Sequence, residues 1–397
     1  MRLWRRAWSA LRAPERAGDL PASGAPAPAP RGLVVGAIAA ALALGLFMQW
    51  PSLRADFRSD DFIQRAMLRG EFPVARSRLD LFDFARGTAD DTRKLIDFGY
   101  LGWWASPELR LRMFRPLASG LIALDHALFG DQALLHHVHS LLWFGLLLVA
   151  AGRVFFKLLP APAALLALLW FTVGPCHTVP IAWLANRSTL IAAAFGLLAL
   201  DLQLRKRSSA AIAAASSCGL LAGEYALTAL AYALAHAWLS GRDAAERRRN
   251  LAPVAIPIAG YVALRALARG DVVGSGFYIS PLHDPVAFAH AVATRVPVLV
   301  ADLLLGVPSI YYNATSPLRG LILSWNLFTP EVWMRLPSWQ TWHVLIGYAS
   351  LAVGFGVLRL LMARDAHSSP STLRWLTAGA LLSLVPCAGS LPEDRLL

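Results

Sequence analysis

The sequence predicts an all-α protein, namely a polytopic transmembrane helical bundle of about nine to ten spans with a large first extracytoplasmic loop that contains short juxtamembrane helices. Of the 397 residues, 56% are hydrophobic and only 16% are charged, and the mean hydropathy is +0.50. The apolar residues form long unbroken runs, and roughly 20 such residues cross a bilayer core about 30 Å thick. These observations exclude a disordered chain, a collagen-like fibre and an ordinary soluble enzyme.

The charge of the chain indicates which partners it has, and its cysteines indicate whether disulfides or a metal site are present. The net charge of +12 comes from 37 lysine and arginine residues against 25 aspartate and glutamate residues. Because the cations lie between the apolar runs, they are expected to orient the helices and to meet anionic headgroups, so membrane lipid is a predicted partner and nucleic acid is not. The three cysteines are too widely spaced to indicate a disulfide framework or a Cys-x-x-Cys metal site.

The amino-terminal part is predicted to be a leader followed by an anchor. Residues 1–31 are arginine-rich and end in a Pro/Ala stretch, which predicts a disordered basic leader on the cytoplasmic side, with a transit peptide as the alternative. Residues 32–397 are predicted to form one transmembrane domain that begins with an anchor helix at 32–50. With the amino terminus inside, residues 51–133 form the first extracytoplasmic loop, whose polar part is 51–116.

Further apolar helices follow the loop. They are predicted at about 134–156, 161–175, 188–204, 209–222, 225–239, 251–267, 342–362 and 375–391. The arginine-rich linker 205–207 then faces inward, as the positive-inside rule requires. The segment 286–306 is predicted to be interfacial or re-entrant, since a crossing there would place the basic linker 359–374 outside. Loops 268–285 and 307–341 then both face outward, the second with a belt of tryptophans.

An acidic pair opens the first loop, in the run Arg58-Ser59-Asp60-Asp61. A carboxylate near the membrane surface is partly desolvated and therefore more basic, so Asp60 and Asp61 are candidates for a general base that removes a proton from a hydroxyl group. The alternative is structural. Ser59 or Asp60 would then cap a short helix, an arrangement worth about 1 kcal/mol.

A helix bounded by a proline and a glycine is predicted after the polar part of the loop. Pro116 at its first position and Gly130 just past its end predict a helix over 117–129. Arg115 stands at the entrance of this helix, where a guanidinium group is suited to bind a phosphate bidentately. Snorkelling of the side chain to lipid headgroups is the alternative.

Histidines and aspartates cluster around the start of the next helix. The members are Asp125, His126, Asp131, His136, His137 and His139. His136 and His139 are i,i+3 partners on one helical face, so a transition-metal site is one hypothesis. The other is that these rings bond to backbone or lipid, since no established metal-binding spacing is present.

Two further places carry polar groups between apolar helices. In the segment 176–187, His177 and Arg187 are predicted to reach an anionic group, while Trp183 offers an apolar face to a sugar or an isoprenoid. Glu224 lies within an apolar hairpin, where a carboxylate is costly unless it is paired. We therefore interpret Glu224 as a functional or network residue, with a surface turn as the alternative.

The ordered series of these motifs resembles the GT-C superfamily of membrane glycosyltransferases, in particular its O-mannosyltransferase-like branch. The matching pieces cover about 57–225 and are short. They are the pair Asp60-Asp61, Phe114-Arg115-Pro116-Leu117, Leu124-Asp125-His126 to Gly130, His136 to His139, Cys176-His177-Thr178, Ala182-Trp183-Leu184-Ala185-Asn186-Arg187 and Leu221-Ala222-Gly223-Glu224. The chain departs from relatives at Val179, where they carry an acidic residue, and at Gly223, where they carry lysine.

The resemblance implies transfer of a sugar from a polyprenyl-phosphate donor to an acceptor hydroxyl of a protein or glycan at the outer face of the membrane. Asp60 or Asp61 would be the base, and the implied substrate-binding residues are Arg115, His126, His139, His177, Trp183, Arg187, Glu224 and Arg395. No cofactor is predicted, and metal dependence is left open. The composition favours a bacterial inner membrane, with the endoplasmic reticulum as the alternative.

Two other functions remain as alternatives at this stage. One is a transporter or flippase for a lipid-linked substrate, for which internal symmetry and interrupted helices are expected. The other is a non-catalytic family member, which Val179, Gly223 and the end of the sequence soon after Asp394-Arg395 favour. The same ending suggests a truncated chain.

Overall fold

The structure, a computed structural model, describes residues 29–275, 278–281, 283–305, 339–364 and 370–390. Fourteen α-helices and one small sheet are present in these residues, which confirms the predicted all-α class. Most of the predicted leader, most of the tryptophan-rich loop and Arg395 lie outside the described residues.

The first part of the chain consists of one long helix and a compact loop. Helix α1 (Arg31–Gln49) continues into a 3₁₀ turn (Trp50–Arg54). The loop then contains α2 (Asp60–Arg69), β1 (Asp83–Arg86), α3 (Ala89–Asp97), β2 (Arg110–Arg112) and α4 (Pro116–Phe129). Helix α4 confirms the prediction made from Pro116 and Gly130, and Gly130 ends it with a φ of 58°.

The rest of the chain is a bundle of apolar helices. They are α5 (Ala133–Leu158), α6 (Ala161–Val173), α7 (Thr178–Ala182), α8 (Ser188–Leu204), α9 (Ser209–Ala222), α10 (Ala226–Ser240), α11 (Ala244–Leu267), α12 (Pro285–Leu305), α13 (Trp339–Arg364) and α14 (Pro370–Cys387). Two 3₁₀ turns, Pro175–His177 and Leu184–Arg187, flank α7. Strand β3 (Val272–Val273) follows α11. The helices predicted beyond the loop are present, although α11 starts seven residues and α14 five residues earlier than predicted.

Five helical stretches of the described chain are long and apolar enough to cross a membrane. They are Arg31–Arg54, Ala133–Leu158, Leu184–Leu204, Ala244–Leu267 and Pro285–Leu305. A sixth candidate is the pair Ala161–Val173 and Pro175–Ala182, which is bent by 45°. The other apolar helices, or the parts of them that were compared with a span, are 10–17 residues long, so the larger count of nine to ten spans stays a prediction.

The segment predicted to be interfacial or re-entrant is one continuous helix. Helix α12 runs for 21 residues, with Pro297 inside it, and no break divides it. Arg295 within this helix is buried, and its Nη1 donates hydrogen bonds to the carbonyl oxygens of Ala388 and Ser390 at 3.0 and 2.7 Å. The bundle itself therefore solvates this charge, and length and composition make α12 a candidate span.

A small antiparallel sheet was not predicted, and it joins two loops that are far apart in sequence. Its order is β1-β2-β3, with Arg110 opposite Val273. Arg112 strengthens the joint, since its Nη1 donates to the carbonyl oxygen of Ala268 at 2.5 Å. The loop after α11 therefore lies on the same side of the bundle as the first loop, in agreement with the predicted topology.

Buried ion pairs organise the first loop. The Arg76 side chain is fully buried, and its Nη2 lies 3.0 Å from Asp91 Oδ1, while its Nε lies 3.5 Å from Asp83 Oδ2. Asp83 also accepts from Arg86 Nε at 2.6 Å. An apolar cluster surrounds this network and includes Leu81, Phe82, Phe84, Leu95 and Ile122. The loop is thus a folded unit that can hold side chains in fixed positions.

Another ion pair network ties helices together at the opposite end of the bundle. Asp201, which is fully buried near the end of α8, accepts from Arg153 Nη2 at 2.7 Å and from Arg205 Nε at 2.6 Å. Arg153 belongs to α5, so the ends of α5 and α8 meet. These are the ends that the charge rule places on the inner side.

Small residues allow the central helices to pack closely. Gly196 of α8 faces α10, and a Cβ atom added to it would lie only 2.7 Å from the Cβ of Ala229. Close approach of helices at glycine and alanine is typical of membrane bundles, where packing replaces the hydrophobic effect as the source of association.

Replacing Gly196 with valine should therefore push α8 away from α10. We expect a loss of about 1–3 kcal/mol, the usual cost of overpacking, and a fall of several degrees in the apparent unfolding midpoint of the purified protein. Gly260→Val is the matched control, because no atom lies within 4 Å of a Cβ at that position. Equal midpoints for the two variants would contradict this view of the interface.

Candidate active site

The acidic pair starts α2, but it is not arranged as a simple helix cap. Ser59 stands at the N-cap position with a φ of 39°, and its side chain makes no capping hydrogen bond. Instead the backbone N–H of Arg58 donates to Asp61 Oδ2 at 2.9 Å. The capping alternative for Ser59 or Asp60 is therefore not what the structure has, and a strained Ser59 is retained beside the two carboxylates.

Asp61 connects the first loop to the turn before α8. Its side chain is only 2% exposed, and its Oδ1 accepts from the backbone N–H of Ala185 at 2.7 Å. Asp60 is less deeply buried and accepts a long hydrogen bond of 3.4 Å from Ser59 Oγ. The two neighbouring acids thus differ in solvent exposure, since Asp61 is buried and hydrogen-bonded to backbone while Asp60 is partly exposed.

Burial makes Asp61 a weaker acid than an ordinary aspartate. Removal from water raises its pKa from 3.8 to about 6, although the backbone hydrogen bonds from Arg58 and Ala185 act in the opposite direction. A carboxyl group with this pKa is half ionised at about pH 6, which is close to the pH at which general bases work.

A second carboxylate, Asp125 of α4, lies at the centre of a buried network. Its Oδ2 is 2.5 Å from Arg187 Nη2, and its Oδ1 is 2.7 Å from His139 Nδ1. Asp125 and Arg187 are each 1% exposed. The ion pair therefore fixes α4 and α5 against the turn that carries Arg187.

The hydrogen bonds of His139 fix its tautomer. Trp143 Nε1, which can only donate, lies 2.9 Å from His139 Nε2. His139 Nε2 must therefore accept, and Nδ1 carries the proton that is donated to Asp125. A neutral His139 satisfies both contacts, so the ring orients Asp125 without adding a charge.

Arg115 forms the second buried ion pair. Its Nη2 and Nε donate to the two carboxylate oxygens of Glu224 at 2.6 and 3.1 Å, and its Nη1 donates to Ser188 Oγ at 3.2 Å. The guanidinium group also lies over the rings of Phe82 and Tyr225. Although burial by itself raises the pKa of Glu224, the Arg115 charge and hydrogen bonds outweigh it and lower the pKa to about 2.

The structure brings five of the predicted residues to one end of the bundle. Asp61, Arg115, His139, Arg187 and Glu224 are joined through direct bonds or through the short stretch Ala185 to Ser188. Glu224 is a network residue, as one of the two interpretations expected. Both arginines are already neutralised by carboxylates, which the sequence did not indicate.

The other predicted residues lie in different surroundings. His126 stacks on Phe57, with ring centroids 5.7 Å apart. His177 is held between helices, since its Nε2 lies 2.6 Å from the carbonyl oxygen of Phe171 and its ring contacts Phe144. Within the described chain, Trp183 Nε1 is buried and has no hydrogen bond partner.

Two rings of the histidine cluster bond to backbone, as the second hypothesis expected for them. His136 Nε2 bonds to the carbonyl oxygen of Gly130 at 3.0 Å, and His137 Nδ1 bonds to that of Ile181 at 3.2 Å. Among the residues that the structure describes, no group of three or more His, Cys, Asp or Glu side chains could hold a metal ion. The rings are therefore engaged by backbone and by Asp125.

Sequence reasoning gave no role to Arg65, Arg69 or Arg78, and it considered Asp125 only as a member of the possible metal cluster and of a motif in the resemblance. Asp125 had a usable signal, because a carboxylate inside an otherwise apolar helix requires a partner. The three arginines had none, since arginine is common throughout the loop.

Comparison with protein-family models, with curated proteins and with solved structures found no match for this chain.

Removing the acid at the centre of the network should unfold this end of the bundle. Asp125→Asn leaves Arg187 buried without its counter-ion, and we expect a loss of about 3–5 kcal/mol, measured as a lower unfolding midpoint in detergent. Asp90→Asn is the control, because Asp90 is exposed and pairs with Lys94 on the same helix. A midpoint as high as that of the control would show that the pair is dispensable.

Asp61 should also make stability depend on pH. Because its pKa is raised in the folded state, its contribution is present below about pH 4 and is lost as the pH rises through 6, at a cost of roughly 3 kcal/mol. Asp61→Asn should flatten the fall of the unfolding midpoint between pH 4 and 7. An unchanged slope would mean that Asp61 does not titrate in this range.

Proposed function

We propose that the chain is an integral-membrane glycosyltransferase that moves a sugar from a polyprenyl-phosphate donor to an acceptor hydroxyl at the outer face of the membrane. The observation that carries the proposal is the 2.7 Å hydrogen bond between Asp61 and Ala185, which are 124 residues apart. It puts the acidic pair beside the turn that ends in Arg187. The proposal requires these segments to meet, because the base and the guanidinium groups must lie at one site.

In this proposal Asp60 is the catalytic base and Asp61 is its positioning residue. Asp60 is the more accessible of the two, and it starts a helix whose first turn is held in place by Asp61. The acceptor hydroxyl gives its proton to Asp60 while its oxygen attacks the anomeric carbon, and the bond to the donor phosphate breaks. The phosphate leaves as an anion, so no general acid is needed.

Arg115 and Arg187 support this chemistry mainly by holding the site. Each is at most 6% exposed and pairs with a carboxylate, so a donor phosphate would have to displace Glu224 or Asp125 to reach either one. A rigid site lowers the entropy that binding and orientation cost.

Unpaired donors near the acidic pair favour a polar ligand at this place. In the described part of the chain, Trp183 Nε1 and Arg187 Nε are buried without hydrogen bond partners, and each such group costs about 1–3 kcal/mol. An oxygen atom of a bound sugar or acceptor would remove that cost. This supports the predicted role of Trp183 in substrate binding.

The proposal is tested by assaying the purified protein in proteoliposomes with a panel of labelled polyprenyl-phosphate sugars. Asp60→Asn should lower turnover by about 10²–10⁴-fold, the usual contribution of a general base, with no change in the unfolding midpoint. Asp61→Asn should lower turnover less and should move the acid limb of the pH profile to lower pH, because it removes a neighbouring negative charge.

Asp90→Asn, in the same loop, serves as the control and should retain full turnover. Turnover at the normal rate in Asp60→Asn, in Asp61→Asn and in the double variant would exclude a base in this pair. A purely structural role of Asp61 would lower the rate without moving the pH profile.

A transporter for a lipid-linked substrate is the second candidate, and one observation favours it. The pair Ala161–Val173 and Pro175–Ala182 is bent by 45°, and interrupted helices are common in transporters. The same proteoliposomes distinguish the two, since a transporter would move the intact labelled lipid between leaflets without releasing its sugar.

A further inference from the structure

A cavity of about 260 Å³ lies between α2 and α4, on the side of α4 that bears His126. Its polar lining consists of Arg65 and Arg69 from α2, Arg78 from the following segment, His126 and Asp131. Its apolar lining comes from Leu68, Ala123 and Ala127. The volume is slightly below the ~300 Å³ at which pockets for drug-sized ligands begin, so it suits a compact group.

The charges of the lining leave this cavity positive. Asp131 is shared by two guanidinium groups, as Arg65 Nη1 lies 3.7 Å from its Oδ1 and Arg69 is hydrogen-bonded to its Oδ2. Arg78 is exposed and makes no ion pair within the described residues. Burial, with the nearby His136, lowers the pKa of His126 to about 4, so this ring adds no charge at neutral pH. Three cations therefore face one carboxylate.

The cations of the cavity remain available to a ligand, unlike Arg115 and Arg187. The side chains of Arg65 and Arg69 are 27% and 43% exposed. Arg65 is also held in place, since its guanidinium carbon lies 5.4 Å from the Phe57 ring and 5.2 Å from the Phe62 ring. Guanidinium groups that are fixed but accessible are suited to bidentate binding of phosphate.

The surroundings of the cavity favour a phosphate that carries an apolar body. Leu124 and Leu128 of α4 are 48% and 65% exposed, and Leu134 at the start of α5 is 52% exposed. Helix α5 is a candidate membrane span, so the cavity lies next to the level at which that span leaves the bilayer. Acyl or prenyl chains could cover these leucines while the headgroup enters the cavity.

We propose that the cavity between α2 and α4 binds the phosphate group of an anionic membrane lipid through Arg65, Arg69 and Arg78. The shared chemistry is a phosphate on an apolar chain, whether the lipid is a phospholipid or a polyprenyl phosphate. The site does not involve Asp60 or the buried pairs of Arg115 and Arg187, so it does not depend on the proposed transferase activity.

The test is lipid binding to the full chain in a neutral detergent, followed by native mass spectrometry with phosphatidic acid and with undecaprenyl phosphate as separate probes. Arg78→Gln should weaken binding about fivefold, and the double variant Arg65→Gln/Arg69→Gln about tenfold or more. Arg93→Gln removes one exposed charge from α3 of the same loop and should bind as the wild type does.

Asp131→Asn should strengthen lipid binding, whereas the arginine variants should weaken it. It removes the carboxylate that competes with the ligand, so we expect binding to tighten a few-fold, whereas a purely structural ion cluster would only lose stability. Asp60→Asn should bind both lipids normally, which separates this site from the proposed catalysis.

Preference for one of the two probes identifies the lipid, and either preference supports the proposal. Equal weakening in Arg78→Gln and Arg93→Gln would overturn it, because binding would then reflect net charge alone. Competition by inorganic phosphate at the same concentrations as lipid would also overturn it, since the site would then bind a free anion. Arg78 is exposed and makes no ion pair in the described chain, so we expect its replacement to leave the fold intact.

Discussion

The end of the bundle next to the first loop depends on the buried ion pair between Asp125 and Arg187. A charge transferred from water to a protein interior costs several kcal/mol, and this cost is recovered only if a partner of opposite charge is held in good geometry. Arg187 Nη2 lies 2.5 Å from Asp125 Oδ2, and His139 bonds to the other carboxylate oxygen, so Asp125 has both a partner of opposite charge and a hydrogen bond. Helices α4, α5 and α8 are therefore held in the one arrangement that pairs both groups.

The same requirement recurs at the other polar positions of the bundle. Glu224 is paired with Arg115, and Asp201 is paired with two arginines at the opposite end. Between these ends the helices meet through small residues such as Gly196, where close packing leaves no space for a side chain. Ion pairs thus fix the two ends, and the shape of the small residues sets the spacing between them.

This arrangement separates two kinds of arginine on the same face of the protein. Arg115 and Arg187 are buried and neutralised, which suits them to hold the loop and the turn before α8 together. Arg65 and Arg78 are accessible and exceed the nearby negative charge, which suits them to bind a ligand. We infer that the buried pairs provide the rigidity on which the proposed base relies.

Hydropathy in the sequence determined the helices, because a run of apolar residues satisfies its backbone only as a helix in a membrane. Pro116 and Gly130 set the bounds of α4, and Gly223 ends α9. The small sheet could not be predicted, since β2 and β3 contribute three and two residues and become strands only when paired. Only the tertiary structure decided which charges are neutralised, because an ion pair depends on distance, and Arg187 lies 62 positions from Asp125 in the chain but within contact of it in space.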